Sequence, residues 1–327
     1  MLFSIDSFIT KIHNSYIFRR FNMLKKIKTV HIIGLGAVGA TYGSMLYDYD
    51  RSSVKIVVDE ERARRYNKSS IINDKDYSFD YVVPYPDSDK AEFIIIAVKG
   101  HNLTETIDTI RPLVGKDTII LSLLNGITSE DELSEAFGRD KVLHGFCVGT
   151  DAVREDGQVK FTNSGKIVFG EYYPEVKGKA KLAADIFKKA GISYSIPEDI
   201  RREMWWKFMM NVGVNQTSAI LKAPYGVYGK VPEAQKLLAL ACREVIPIAE
   251  REGVALYESD IDEFIEIFKT LSPEGKTSMF QDVEAGRKTE VESFALAVIG
   301  LGKKHGIPTP INEALYLMIR VLEQKGL

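Results

Sequence analysis

The stretch VHIIGLGAVGATYG, residues 30–43, places Gly34, Gly36 and Gly39 directly after the apolar run Val30 to Ile33 and directly before an Ala/Gly-rich helical segment. A strand that passes through closely spaced glycines into a helix is the setting a dinucleotide-binding turn requires. Gly34 would make the tight turn, Gly36 would let the backbone approach a pyrophosphate, and Gly39 would let the helix pack closely on the strand. The free N–H groups of the first helical turn would then face the phosphates. Gly34, Leu35, Gly36, Ala37, Val38 and Gly39 are therefore the candidate cofactor-binding residues of this turn. A merely close-packed turn would use the same glycines, so the context outside the motif has to decide.

That context is an alternation of strand and helix. Strand-like runs occur at Val30 to Ile33, Val54 to Val58, Phe93 to Val98, Thr118 to Leu121 and Val142 to Phe146. Helices fit Gly39 to Leu46, parts of Glu60 to Tyr66, Leu103 to Arg111 and Leu182 to Lys189, the last before the strand-like ISYSI. GQVKFTNSGKIVFGE, residues 157–171, alternates polar residues and Gly and reads as an antiparallel addition. After Pro197-Glu198-Asp199 the period becomes helical, in segments at Met204 to Leu221, Pro232 to Glu252, Ile261 to Thr270, Val291 to His305 and Ile311 to Glu323. The expected architecture is an α/β N-terminal Rossmann-type dinucleotide-binding domain, residues 28–197, followed by an all-helical C-terminal substrate domain, residues 198–327. Ligands belong at the C-terminal ends of the strands and in the cleft between the domains.

The remaining composition narrows the function classes. The chain has 327 residues, with 43 basic and 45 acidic side chains mixed along it, giving a formal charge of −2. No basic patch marks a nucleic-acid partner. No run reaches the 18 or so apolar residues a membrane span needs. Cys147 and Cys242 are too few for a disulfide framework and fit small core positions in a reducing, cytoplasmic setting. The histidines show no metal-ligand spacing, so no metal is expected. Residues 1–21 have no signal-peptide pattern, and the leader up to residue 27 reads as an accessory arm or, in preference, as the product of an upstream start assignment.

The second informative segment is EMWWKFMMNVGVNQTSAI, residues 203–220, with Lys207, Asn211 and Asn215 four apart. Their directions drift by only about 40° per step, so the three can line one side of a helix. Lys207 could protonate an oxygen, and the amides could hold hydroxyl or carboxylate groups without a change of charge. A solvated polar stripe would have the same spacing, but Trp205, Trp206, Phe208, Met209 and Met210 imply a helix buried on much of its circumference. SMFQDVEAGRKTEVE, residues 278–292, adds Ser278, Asp282 and Glu290. A carboxylate beside Lys207 would hold it charged, whereas burial would push its pKa down. Spacing alone leaves Glu290 as suited to capping or salt-linking a helix as to touching substrate.

In the order and separation of these motifs the chain resembles the ketopantoate reductases, or 2-dehydropantoate 2-reductases. The matching segments are GLGAVG at 34–39, AVKGHN at 97–102, LLNGI at 123–127, WWKFMMNVGVN at 205–215 and SMFQDVEAGRKTE at 278–290. The resemblance spans about Lys28 to Leu322. It implies hydride transfer from NADPH to the C2 ketone of 2-dehydropantoate, giving (R)-pantoate for pantothenate and coenzyme A synthesis. It also implies Lys207 as general acid with Glu290 beside it, and Asn211, Asn215 and Ser278 as substrate contacts. Asn125 would sit where the cofactor meets substrate, Lys99 near the adenosine ribose phosphate, and Asp282 in support of a loop or helix end.

One departure concerns the cofactor. Many family members have Arg at the end of the second strand, where VKIVVDEERAR has Asp59. A carboxylate there can accept from both ribose hydroxyls of NAD and would repel a 2′-phosphate. A helix-capping Asp59 is the alternative, and Arg62, Arg64 and Lys99 could still accept the phosphate. The expected cofactor is NADH or NADPH, with NADH favoured, and the expected partner a small 2-oxo acid. A related 2-oxo acid reductase or hydroxyacid dehydrogenase, a decarboxylating relative, and a non-catalytic NAD-responsive protein are the competing functions. Exposed parts of the C-terminal helices could support a homodimer.

Overall fold

The structure is a computed structural model that describes residues 26–65, 70–155 and 157–325. All but the last two residues of the 1–27 leader lie outside the described residues. Ile27 is already packed in the core, and Glu92 Oε2 accepts from the Lys28 and Thr29 N–H groups.

Among the described residues the N-terminal domain contains twelve strands: β1 (Val30–Ile33), β2 (Val54–Val57), β3 (Ser70–Ile72), β4 (Lys75–Tyr77), β5 (Asp80–Val82), β6 (Phe93–Ile96), β7 (Ile119–Ser122), β8 (Val142–Val148), β9 (Val153–Glu155), β10 (Gln158–Lys160), β11 (Lys166–Gly170) and β12 (Tyr194–Ser195). Eight of them form one sheet in the order β12-β11-β8-β7-β6-β1-β2-β5. Every neighbouring pair is parallel except β8 with β11. The helices α1 (Ala37–Tyr49), α2 (Glu60–Arg65), α3 (Leu103–Ile110), α4 (Ser129–Phe137) and α5 (Lys179–Lys189) belong to this domain. Burial of both sheet faces explains why β6 is a continuous apolar run, FIII, with no exposed residue. The strand order reverses between β1 and β6, which sets the turn after β1 and the segment after β6 side by side at the sheet's C-terminal edge.

The segment 157–171 departs from the expected single addition. Its second half, β11, does pair antiparallel with β8, but its first half, β10, joins β3, β4 and β9 in a separate four-stranded sheet. The Ser70–Tyr77 hairpin that supplies β3 and β4 has only three-residue strands, too short to show a period.

The C-terminal domain is helical: α6 (Ile200–Leu221), α7 (Tyr225–Lys230), α8 (Pro232–Arg243), α9 (Val245–Arg251), α10 (Glu258–Thr270), α11 (Ser278–Glu284), α12 (Ala295–His305) and α13 (Pro310–Gln324). The expected helix from Pro232 to Glu252 is two helices. Pro247 has no N–H for the Arg243 carbonyl, and its ring crowds the preceding turn. Glu244, freed at the break, accepts from the N–H groups of Ile311 and Asn312 and so caps α13. The segment after Glu290 begins as a single 3-10 turn, Val291–Ser293, before α12.

Helix α6 starts four residues earlier than its apolar pattern suggested, because Asp199 accepts from the Arg202 N–H at 2.9 Å. Such a cap contributes about 1 kcal/mol. The helix is buried against β8 and β11 on one side and against α8, α11 and α13 on the other. It is therefore the wall shared by the two domains. Among the described residues no helix is long and apolar enough to cross a membrane.

Candidate active site

The glycine turn meets three different steric demands. A Cβ at Gly39 would lie 1.9 Å from the Gly34 carbonyl oxygen, and one at Gly34, where φ is +99°, would lie 2.5 Å from the Ala97 oxygen. Both positions pack against protein. A Cβ at Gly36 would meet nothing closer than the Ala97 oxygen at 4.0 Å. Gly36 is also the N-cap of α1, with no side-chain cap and no acidic residue in the first turn. The backbone from Gly36 to Gly39 thus offers unblocked helix N–H groups over open space, the cradle a pyrophosphate fits.

Further along the sheet edge, the turns after β6 and β7 dock on the helical domain, with Ser293 filling the space beside Gly100 and Gly126. This contact brings Lys99 and Asn125 to Glu290. Lys207, on α6, donates from Nζ to Asn125 Oδ1 at 3.0 Å, and Asn125 Nδ2 donates to Glu290 Oε2 at 3.0 Å. A lysine ammonium only donates and a carboxylate only accepts, so these partners fix which way the Asn125 amide points. Glu290 Oε2 is 3.6 Å from Lys99 Nζ, which donates to Asp282 Oδ2 at 2.9 Å. Arg287 Nε completes the chain on Asp282 Oδ1 at 2.9 Å. Lys207 and Glu290 are thus brought together through Asn125 rather than by direct contact.

The Lys207 ammonium is buried, with the Phe146 ring centroid 5.0 Å away. Burial lowers its pKa below the ordinary lysine value, while Cys147, Glu290 and Glu130 oppose this. Lys99 goes the other way. Burial would lower its pKa, but Glu290 and Asp282 together outweigh that and raise it. The two amines are thus pushed in opposite directions: burial destabilises the Lys207 ammonium, and the two carboxylates stabilise that of Lys99.

Asn211 and Asn215 follow Lys207 at one-turn intervals and are buried, yet neither side chain hydrogen-bonds to any described residue. Ser278 is exposed at the start of α11. The Thr277 and Ser218 hydroxyls, 2.6 Å apart, pin that start to α6 one turn beyond Asn215. The buried amides and ammonium form a polar row along α6 suited to a small hydroxylated carboxylate.

Two of the candidate cofactor residues are engaged within the protein. Lys99 is held by Asp282 and Glu290, where the turn after β6 docks on the helical domain. Asp59 caps α2, its Oδ1 accepting from the Arg62 N–H at 2.6 Å and its Oδ2 lying 3.4 Å from Arg62 Nε. Its side chain is still 37% exposed just beyond β2.

Sequence reasoning missed Phe146, which reads as core, and Glu130. The Glu130 carboxyl is buried in the first turn of α4, accepts from Ser129 Oγ at 2.9 Å, and is pushed up to about 8 by burial. Cys147 is buried as expected. Among the described residues no group of side chains could hold a metal ion.

Residues 30–174 match the family Ketopantoate reductase PanE/ApbA, and residues 199–323 match Ketopantoate reductase PanE/ApbA C terminal. The chain belongs to the ketopantoate reductase family. It is 26% identical over 305 residues to a 2-dehydropantoate 2-reductase of Aquifex aeolicus, covering 89% of this chain and 96% of the relative. Two solved structures share the family fold. D-mandelate dehydrogenase in a ternary complex with NADH and anilino(oxo)acetate superposes with a TM-score of 0.82 at 24% identity, over 91% of this chain and 98% of that one. The dimeric ketopantoate reductase of Staphylococcus aureus superposes with a TM-score of 0.77 at 22% identity, over 91% and 99%.

Proposed function

We propose that the chain is an NAD(P)H-dependent reductase of a 2-oxo acid, with 2-dehydropantoate as substrate and (R)-pantoate as product. The observation that carries this is the buried Lys207 ammonium, held by a neutral oxygen and linked through Asn125 to Glu290, beside amides with no hydrogen-bond partner among the described residues. Gly36 and the unblocked start of α1 fit the cofactor pyrophosphate, and the reduced nicotinamide would supply a hydride to the ketone carbon. Lys207 donates its proton to the ketone oxygen as negative charge develops there, and a lowered pKa favours that donation. Asn125 holds the lysine in place and Glu290 holds Asn125. Asn211, Asn215 and Ser278 bind the substrate's hydroxyl and carboxylate groups. Lys99 bridges the cofactor domain to Glu290 at the nicotinamide end. Asp59 favours NADH over NADPH through its charge beside the adenosine ribose.

A different 2-oxo acid is the second possibility, favoured by the likeness to D-mandelate dehydrogenase. Cofactor oxidation with 2-dehydropantoate and a panel of branched and aromatic 2-oxo acids, using NADH and NADPH in turn, separates the two. Preference for another acid keeps the site and replaces the substrate, and no oxidation with any of them removes the enzymatic assignment. The outward face of α13 exposes Leu317, Met318 and Val321, and a second copy of the chain is its proposed partner, as in the dimeric relative. Sedimentation as a monomer at micromolar concentration would exclude that dimer.

A further inference from the structure

Arg154 stands on β9, in the small four-stranded sheet, and its guanidinium donates to the backbone carbonyl of Leu35. Leu35 lies between Gly34 and Gly36, so a residue 119 positions away in sequence sets a cation against the glycine turn. The contact uses one of five guanidinium donors. Arg154 is exposed, and among the described residues no carboxylate pairs with it. The neighbouring cations are committed elsewhere: Arg62 to Asp59 and Lys99 to Asp282 and Glu290.

A pyrophosphate carries two negative charges, whereas a helix N-terminus offers only about half a positive charge. The open space over Gly36 and the free donors of Arg154 adjoin the same Leu35–Gly36 peptide. We propose that Arg154 contacts the pyrophosphate of the bound dinucleotide, so that the small sheet closes one side of the phosphate site. This rests on the dinucleotide assignment above. The β3-β4-β10-β9 sheet thereby has a function beyond covering an edge: it carries a cation to a turn that has none of its own.

Arg154→Gln separates this from simple bracing of the turn, because Gln keeps an N–H donor for the Leu35 carbonyl and loses the charge. Fluorescence titration with NADH and with ADP-ribose should show dissociation constants about tenfold higher than wild type, as expected for one charge-assisted hydrogen bond at a partly exposed site. Arg154→Glu should weaken both ligands further. Melting without ligand and kcat at saturating cofactor should stay unchanged. Wild-type affinity in Arg154→Gln overturns the proposal, as does weaker binding accompanied by a lower ligand-free melting temperature, which marks bracing. A wild-type protein that binds neither NADH nor ADP-ribose overturns the dinucleotide assignment itself, and the Arg154 contact with it.

Discussion

Replacing Lys207 with Met should stabilise the chain near neutral pH while removing its activity. The lysine is 8% exposed, and its hydrogen-bond partner among the described residues is the neutral Asn125 oxygen at 3.0 Å. Burial lowers its pKa despite Cys147, Glu290 and Glu130. Each unit of lowering penalises the charged form in the folded state by about 1.4 kcal/mol. Met keeps the volume of the stem and sets a thioether near the Phe146 ring, worth about 0.3–1.5 kcal/mol. The Asn125 oxygen loses its donor at a cost of about 1 kcal/mol. These two terms roughly cancel, so relief of the buried charge decides the sign and the variant should be the more stable. The folded pKa lies below the unfolded value of about 10.4, so between the two the unfolded chain holds a proton that the folded chain lacks. Wild-type stability therefore rises with pH across that window. The advantage of Lys207→Met should be full below the folded pKa and vanish as pH rises through the unfolded one. Urea unfolding of both proteins from about pH 7 to about pH 10.5 measures this directly. A variant less stable than wild type at pH 7, or an advantage that does not shrink with rising pH, would refute the assignment of Lys207 as a penalised buried amine.

Gly36→Val should fold normally, because its Cβ would meet nothing closer than the Ala97 oxygen at 4.0 Å, yet lose NADH affinity by at least about tenfold in fluorescence titration; unchanged affinity would sink the phosphate-turn assignment. Gly39→Ala should instead lower the melting temperature, since its Cβ would fall 1.9 Å from the Gly34 oxygen, and a wild-type melting curve would contradict that packing. Asp59→Asn retains a helix cap and removes the charge, so its kcat/KM ratio should move toward NADPH; no movement would transfer cofactor choice to other residues.

Much of the nucleotide domain was legible because its strands are buried on both faces, leaving uninterrupted apolar runs such as FIII at 93–96, and because a glycine turn joins the first of them to a helix. The short strands β3, β4 and β5 were not legible, since three residues cannot display a period. Pro247 is the physical reason one predicted helix is two. Within the site, Lys207, Asn211 and Asn215 were visible through their helical spacing among aromatic and Met neighbours. Which carboxylate reaches Lys207, and through what, depends on the docking of two turns on Ser293, a contact between segments more than 160 residues apart. For the same reason the pairing of Lys99 with Asp282 and Glu290 was not visible in the sequence. Glu130 carries no sequence signal: an acidic residue in a helix's first turn is ordinarily exposed and favourable there, whereas here α4 is packed against β8 and Glu130 is buried.

The double-variant cycle on Lys207 and Glu290 tests most directly the claim that Lys207 protonates the reacting oxygen within a unit completed by Asn125 and Glu290. Steady-state kinetics with the best 2-oxo acid substrate should show kcat reduced at least about 100-fold in Lys207→Ala, with NADH affinity little changed. Glu290→Ala should lower kcat and weaken substrate binding. The double variant should be far less impaired than the product of the two single effects, because either change alone disables the unit. Near-wild-type turnover in Lys207→Ala, or losses that simply multiply in the double variant, would contradict the account.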